Sequence, residues 1–212
     1  CVVTGQNARS VEKLYRFYRK QNFRWLQFIP CIDPFDRADG EPCYTLTADG
    51  YGDFLVRLFD LWFDDLRHGE YISIRHLDNW LSILMGERPE ACNMAGCCSV
   101  QFVVEGDGGV YPCDFYVLDE WRLGNIGETG LADMQNSETA KRFVRQSLAV
   151  PEECKTCQWF GLCRNGCRRD RDILPNGVIG QNIYCTAYKK FFSERFRQLA
   201  QSIECIQRMQ YR

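Results

Sequence analysis

Cys154-Lys-Thr-Cys157-Gln-Trp-Phe-Gly-Leu-Cys163-Arg-Asn-Gly-Cys167 gathers four cysteines in one short stretch, with Cys185 after it and Cys92, Cys98 and Cys113 before it. The two-residue gap between Cys154 and Cys157 lets two thiolates reach one centre without strain. Eight such residues divide naturally into two sets of four. Three chemistries compete for them. Disulfide frameworks belong to short chains that lack a core, whereas this chain has 212 residues, 45% hydrophobic, and an odd count of 13 cysteines. Structural zinc usually pairs two such knuckles, and only one is present. Irregular spacing suits [4Fe–4S] clusters held by four cysteines each better. These clusters are anionic, and Lys155, Arg164, Arg168, Arg169 and Arg171 interleave with the ligands. The same cations read equally well as a solvated basic loop.

Upstream, the pattern changes to alternating strands and helices. Cys1–Thr4 reads as a buried strand. Ser10 is placed to cap a helix whose apolar positions Val11, Leu14, Tyr15 and Tyr18 follow helical spacing. Phe23–Pro30 is the next strand, completing a β-α-β unit. After a loop over Ile32–Glu41, a helix from about Asp49 presents Phe54, Leu55, Leu58, Phe59, Trp62 and Leu66 on one face, and Gly69 ends it. Tyr71–Ile74 is a further strand; Leu77, Leu81, Leu84 and Met85 outline a helix closed by Gly86. From Cys92 onward the elements shorten. Val100–Val104 and Val110–Tyr111 flank Gly106-Asp-Gly-Gly109 as a hairpin, Ser137–Leu148 is a helix, and Ile183–Ile206 is a long closing helix carrying Tyr188, Phe191, Phe192, Phe196, Leu199 and Ile203. The expected fold is α/β followed by α+β: the last units of a parallel barrel or open sheet over 1–88, then a cysteine-rich domain over 89–212.

The net charge of −2 gives no electrostatic case for nucleic acid or a membrane surface. No run approaches the ~18 apolar residues of a membrane span, and clustered thiols used as ligands indicate a reducing compartment, the cytoplasm. An opening in mid-strand predicts a further segment upstream.

Cys98-x14-Cys113 with Gly108, the Cys154–Cys167 array and Cys185 together resemble the SPASM signature of radical SAM peptide-modifying enzymes. Gln101-Phe-Val-Val-Glu105, Gly109-Val-Tyr-Pro-Cys-Asp-Phe-Tyr-Val-Leu118 and Trp121-Arg-Leu-Gly-Asn-Ile126 resemble one branch, the anaerobic sulfatase-maturating enzymes. Similarity extends back through Cys1-Val-Val-Thr4 and Leu26-Gln-Phe-Ile29. The resemblance implies a carboxy-terminal portion, with the end of a partial (β/α) barrel and a SPASM domain. It also implies an interleaved assignment. Cys92, Cys98, Cys113 and Cys167 would hold one auxiliary [4Fe–4S] cluster, while Cys154, Cys157, Cys163 and Cys185 would hold the other. Cys97 is the substitute candidate beside Cys98. Cys1, Cys31, Cys43 and Cys205 are expected to pack as small apolar side chains.

The chemistry so implied is oxidation of a serine or cysteine in a nascent sulfatase to Cα-formylglycine. A 5′-deoxyadenosyl radical takes hydrogen from Cβ, Asp114 takes the side-chain proton, and auxiliary clusters accept the electron. Asp114 also reads simply as a turn cap after Pro112. Ile32 falls where the family contacts S-adenosylmethionine, and also reads as a core aliphatic. The implied partners are the unfolded sulfatase polypeptide and an electron donor such as flavodoxin or ferredoxin. No Cys-x3-Cys-x2-Cys triplet for a third, S-adenosylmethionine-binding cluster is present, so the chain alone is expected to be inactive. Two other readings stand beside this one. The first is a SPASM maturase forming thioethers in another ribosomal peptide. The second is a non-catalytic zinc module or electron-transfer partner. His68 and His76 suggest no catalytic pair.

Overall fold

The computed structural model describes residues 1–35, 44, 46–171 and 179–210. In chain order it contains β1 (Val2–Val3), α1 (Val11–Lys20), β2 (Trp25–Leu26), β3 (Ile29–Pro30), α2 (Ala48–Arg67), β4 (Ser73–Ile74) and α3 (Arg75–Leu84). Then come β5 (Val103–Val104), β6 (Gly109–Tyr111), β7 (Gly124–Asn125), α4 (Leu131–Asn136), α5 (Glu138–Ser147), α6 (Glu152–Lys155), α7 (Phe160–Cys163) and α8 (Cys185–Gln210). Two compact units result. One combines 1–91, 158–163 and 182–212; the other combines 92–157 and 164–181. No described helix is long and apolar enough to cross a membrane.

The first unit is built on α2. The Thr47 hydroxyl accepts from the Gly50 N–H at 3.2 Å and so starts the helix. All six apolar residues expected on its inner face are buried. The closing helix α8 packs along α2. The reason lies in its apolar stripe: Tyr188, Phe191, Phe192 and Leu199 need a long hydrophobic partner, and α2 supplies one. Phe191 stacks on Trp80 of α3 with centroids 4.7 Å apart, and Phe192 meets the same indole edge-on at 5.0 Å. The rim is tied by charge. Arg195 makes a two-pronged contact with Asp60 at 2.7 and 3.0 Å, a geometry that matches guanidinium to carboxylate.

The expected strand over Phe23–Pro30 is two strands. β2 pairs parallel with β4, and β3 pairs parallel with β1. Between them Phe28 turns inward onto Phe54, at 5.5 Å, so the two short segments face different neighbours. Ser10 sits at the start of α1 but makes no capping bond. A 3-10 turn over Ala8–Ser10 precedes the helix and is initiated instead by Thr4 and Asn7, whose side chains and backbone N–H groups exchange hydrogen bonds at 2.8 and 3.2 Å. Part of the loop expected over Ile32–Glu41, and Cys43, lie outside the described residues.

In the second unit β5, β6 and β7 form an antiparallel sheet, with Val103 opposite Tyr111 and Val104 opposite Val110. The hairpin turns at Gly108, whose φ of +81 and 2.9 Å gap from a would-be Cβ to the Asn125 side chain require glycine. The first strand is shorter than expected because Phe102 adopts φ +54 and breaks the ladder. The expected helix over Ser137–Leu148 is α5 with both caps in place, the Ser137 hydroxyl accepting from the Ala140 N–H at 3.1 Å.

Two expectations follow. Trp80 of α3, 1% exposed, packs against Phe191 and Phe192 of α8, so Trp80→Ala should cost about 3–5 kcal/mol in urea unfolding at unchanged slope. His76 is buried, and desolvation, aided by the Arg75 charge, lowers its pKa from 6.5 to about 4. Its neutral form is the folded one, so the unfolded chain binds the extra proton. Stability should therefore be full above pH 6.5 and fall as pH drops toward 4. In His76→Gln that slope should be shallower, read from unfolding midpoints across the window.

Candidate metal centre

The second unit contains a guanidinium enclosed by rings. Arg168 is 3% exposed, and its Cζ lies 4.7 Å from the Trp121 centroid, 4.7 Å from Phe143 and 4.8 Å from Tyr116. Its Nη1 donates to the Phe143 carbonyl and its Nη2 to Gln146 Oε1, both at 2.9 Å. The basic loop is thus not a solvated one: Arg168, Arg169 and Arg171 are all buried, Arg164 is half-buried, and Lys155 is exposed. Tyr116, Trp121 and Phe143 form one apolar cluster, and Cys98 and Cys113 pack against it.

Backbone geometry delivers the thiols. Gly96, at φ +77, passes so close to the Arg164 carbonyl that a Cβ would stand 2.7 Å from it, bringing the Cys97–Cys98 segment beside the turn that leads to Cys167. Arg164, Asn165 and Gly166 all have positive φ, reversing the chain immediately before Cys167. The Cys98 N–H donates to the Ser147 hydroxyl at 2.8 Å, which anchors it to α5. Cys113 is extended and opens the 3-10 turn Asp114–Tyr116. Cys167 heads a second 3-10 turn, and its Sγ accepts from the Arg169 N–H at 3.4 Å, the kind of bond that tunes thiolate ligands. Cys92 starts a third such turn and is exposed.

Burial pushes the Cys113 thiol up to about 12, with the Asp114 carboxylate adding to the rise. Burial likewise raises Cys98 and Cys167, and the charge of Asp170 raises Cys167 further. Cys98, Cys113 and Cys167 also act on one another, and Cys92 acts on Cys98, so these four share one neighbourhood. Among the described residues no three Cys, His, Asp or Glu are gathered for a single metal ion. A soft donor set of half-buried thiols beside buried cations suits an anionic cluster, whose irons deprotonate the thiols that bind them. Cys97 is exposed, whereas Cys98 faces the rings.

Of the other four candidate ligands, Cys154 is buried in α6 and the Cys157 N–H donates to its carbonyl at 3.2 Å, within the second unit. Cys163 ends α7 and Cys185 begins α8, both in the first unit. Asp114 is exposed, and its Oδ1 accepts from Cys113 Sγ at 3.2 Å. Ile32 is half-buried just past β3, where Cys31 N–H donates to the Val3 carbonyl. Cys1 does not pack as an apolar side chain: it is exposed at the head of β1. Cys31 and Cys205 are half-buried. Sequence reasoning missed Ser147 and the three-ring enclosure. Neither has a spacing signature, since each contact joins residues far apart in the chain.

The SPASM family model, an iron–sulfur cluster-binding domain, matches residues 92–158. The cysteine-type anaerobic sulfatase-maturating enzyme of Clostridium novyi is 46% identical over 199 residues, which is 93% of this chain and 53% of that protein. The serine-type anaerobic sulfatase-maturating enzyme of Bacteroides thetaiotaomicron is 29% identical over 207 residues, 90% of this chain and 50% of that one. The solved structure of native anSMEcpe with bound AdoMet superposes with a TM-score of 0.93 at 43% identity, covering 97% of this chain and 57% of that chain. The chain therefore spans about half the length of the curated relatives it matches. With a SPASM iron–sulfur domain and similarity along more than nine-tenths of its residues, it is a relative of the anaerobic sulfatase-maturating enzymes.

Proposed function

We propose that this chain is part of a radical SAM enzyme that oxidises a cysteine or serine of a sulfatase polypeptide to Cα-formylglycine. Residues 1–88 are then the closing units of a partial (β/α) barrel and 89–212 the auxiliary-cluster domain. Cys92, Cys98, Cys113 and Cys167 hold one auxiliary [4Fe–4S] cluster; Cys154, Cys157, Cys163 and Cys185 hold the second. The observation that carries the reading is the half-buried trio Cys98, Cys113 and Cys167 set beside buried guanidinium groups, in a chain so similar to sulfatase-maturating enzymes. S-adenosylmethionine, touched by Ile32, and a third cluster belong to the whole enzyme. A flavodoxin- or ferredoxin-like donor in the cytoplasm serves it.

The oxidation removes a hydrogen atom from the substrate Cβ, a proton from its Sγ or Oγ, and one electron; serine then becomes the aldehyde directly, whereas cysteine becomes a thioaldehyde that water hydrolyses to the aldehyde with release of hydrogen sulfide. When bound, [4Fe–4S] clusters supply one-electron acceptors, and four cysteines apiece leave no iron open to substrate. Asp114 is the base. Its carboxylate is exposed, lies 3.2 Å from a ligand sulfur and stands on a short rigid turn, so a peptide lying at that edge brings its side-chain proton within reach. Arg168 and Ser147 hold the turns that carry Cys167 and Cys98, and so keep the donor set in place during turnover. Greater similarity to cysteine-type than to serine-type relatives supports a cysteine substrate.

Anaerobic reconstitution of the chain should yield about eight irons with matching sulfide and a band near roughly 400 nm. Two zincs and no colour would sink the cluster reading. In the whole enzyme, Asp114→Asn should lower formylglycine formation by about 100-fold or more while iron content stays intact. Product mass reads it, using paired sulfatase peptides that carry cysteine or serine at the target; undiminished turnover removes Asp114 as base, and equal turnover of the two peptides removes the cysteine preference.

A further inference from the structure

Arg171 is 1% exposed, which makes it the most deeply buried cation of the second unit among the described residues. Its Nε donates to the Cys167 carbonyl at 3.2 Å and its Nη1 to the Ala149 carbonyl at 3.4 Å. Nη2 is buried and has no acceptor among the described residues. A guanidinium is a rigid planar fork, so those two bonds leave no freedom to turn Nη2 toward a different acceptor. Buried donors without acceptors are rare in folded proteins and call for an explanation.

The neighbouring Arg168 shows the contrast. Both of its Nη atoms are spent on protein acceptors, and its plane is covered by three rings. Arg168 therefore works as scaffold, while Arg171 keeps a free donor. Burial pushes the Arg171 pKa down, and the groups that oppose this are Cys98 first, then Cys167 and Tyr116. Two of these are candidate ligands of one cluster. A buried cation needs a nearby anion to offset its lost hydration, and protein thiols in their neutral form do not provide one.

We propose that Arg171 directs its Nη2 hydrogen at the sulfur of the cluster held by Cys92, Cys98, Cys113 and Cys167, and that it sets that cluster's reduction potential above the value it would have without the donor. The inference rests on the cluster assignment proposed above. Reduction adds negative charge to the cluster, so a fixed hydrogen bond and a buried positive charge favour the reduced form; hydrogen bonds to the sulfurs are one of the levers by which proteins set these potentials. Arg171 is a positioning residue in this account, since it acts on the electron acceptor rather than on substrate.

The test compares the reconstituted wild-type chain with Arg171→Lys and Arg171→Met, using iron analysis, redox titration followed by electron paramagnetic resonance, and pulsed resonance on protein whose arginines carry 15N only in the guanidinium, so that the Arg169 backbone N–H on Cys167 Sγ stays silent. With iron content equal across the three, one of the two midpoints should move to lower potential, further in Arg171→Met than in Arg171→Lys. The reduced wild type should show a 15N coupling that the lysine variant lacks. Full iron loading with unmoved midpoints overturns the role of Arg171 alone. Wild-type chain that takes up no iron overturns the cluster assignment and this inference with it. Should the methionine variant fail to fold, the labelled wild type still decides, because absence of any 15N coupling in its reduced form contradicts a donor at this sulfur.

Discussion

A guanidinium buried among aromatic rings is the constraint on which the cysteine-rich unit depends. Arg168 lies between Tyr116, Trp121 and Phe143 and ends on the Phe143 carbonyl and Gln146. Such an arrangement is tolerable only when the rings offer their negative faces and the N–H groups find acceptors. Meeting both conditions draws three separate segments together: the 3-10 turn after Cys167, the segment from Cys113 to Trp121, and α5. Each segment carries or anchors a candidate ligand. Cys167 precedes Arg168, Cys113 precedes Tyr116, and Cys98 is held by Ser147 at the end of α5. The positions of the thiols are thus consequences of where one cation can be buried.

The first unit solves a different problem. Its strands are two residues long, too short to hold a sheet by backbone pairing alone. Cohesion comes from aromatic packing, with Trp80 stacked on Phe191, Phe59 meeting Phe191 at 5.6 Å and Tyr51 meeting Tyr184 at 4.9 Å. Large rings bury much area at little cost in side-chain freedom, which suits a unit whose secondary structure contributes modestly. Two polar groups of this core find partners within the unit: the Trp62 indole N–H donates to the Ile72 carbonyl at 2.7 Å, and the Tyr15 hydroxyl donates to Asp65 at 2.7 Å.

Helices were legible because periodicity is a local property. The apolar face of α2, the caps of α5 and the extent of α8 all follow from spacing that any isolated helix would share. Strands were less legible. The division of Phe23–Pro30 into β2 and β3 depends on which partner each half meets, and the loss of three residues from the first hairpin strand depends on the φ of Phe102. Ser10 has the right residue type for a cap, yet Thr4 and Asn7 had already turned the chain. Cys1 belongs to an apolar stretch, but its position at the end of β1 leaves it exposed.

From its spacing alone the sequence marked a cluster of cysteines as candidate ligands, because the distance between thiols along a turn is set by backbone geometry within a few residues. Whether the accompanying arginines are solvated or buried was decided only by tertiary structure. The Arg168 bond to Phe143 spans 25 residues and the Cys98 bond to Ser147 spans 49, and no local pattern encodes contacts of that range. The physical reason is desolvation: a cation enters the interior only where remote segments jointly supply ring faces and hydrogen-bond acceptors.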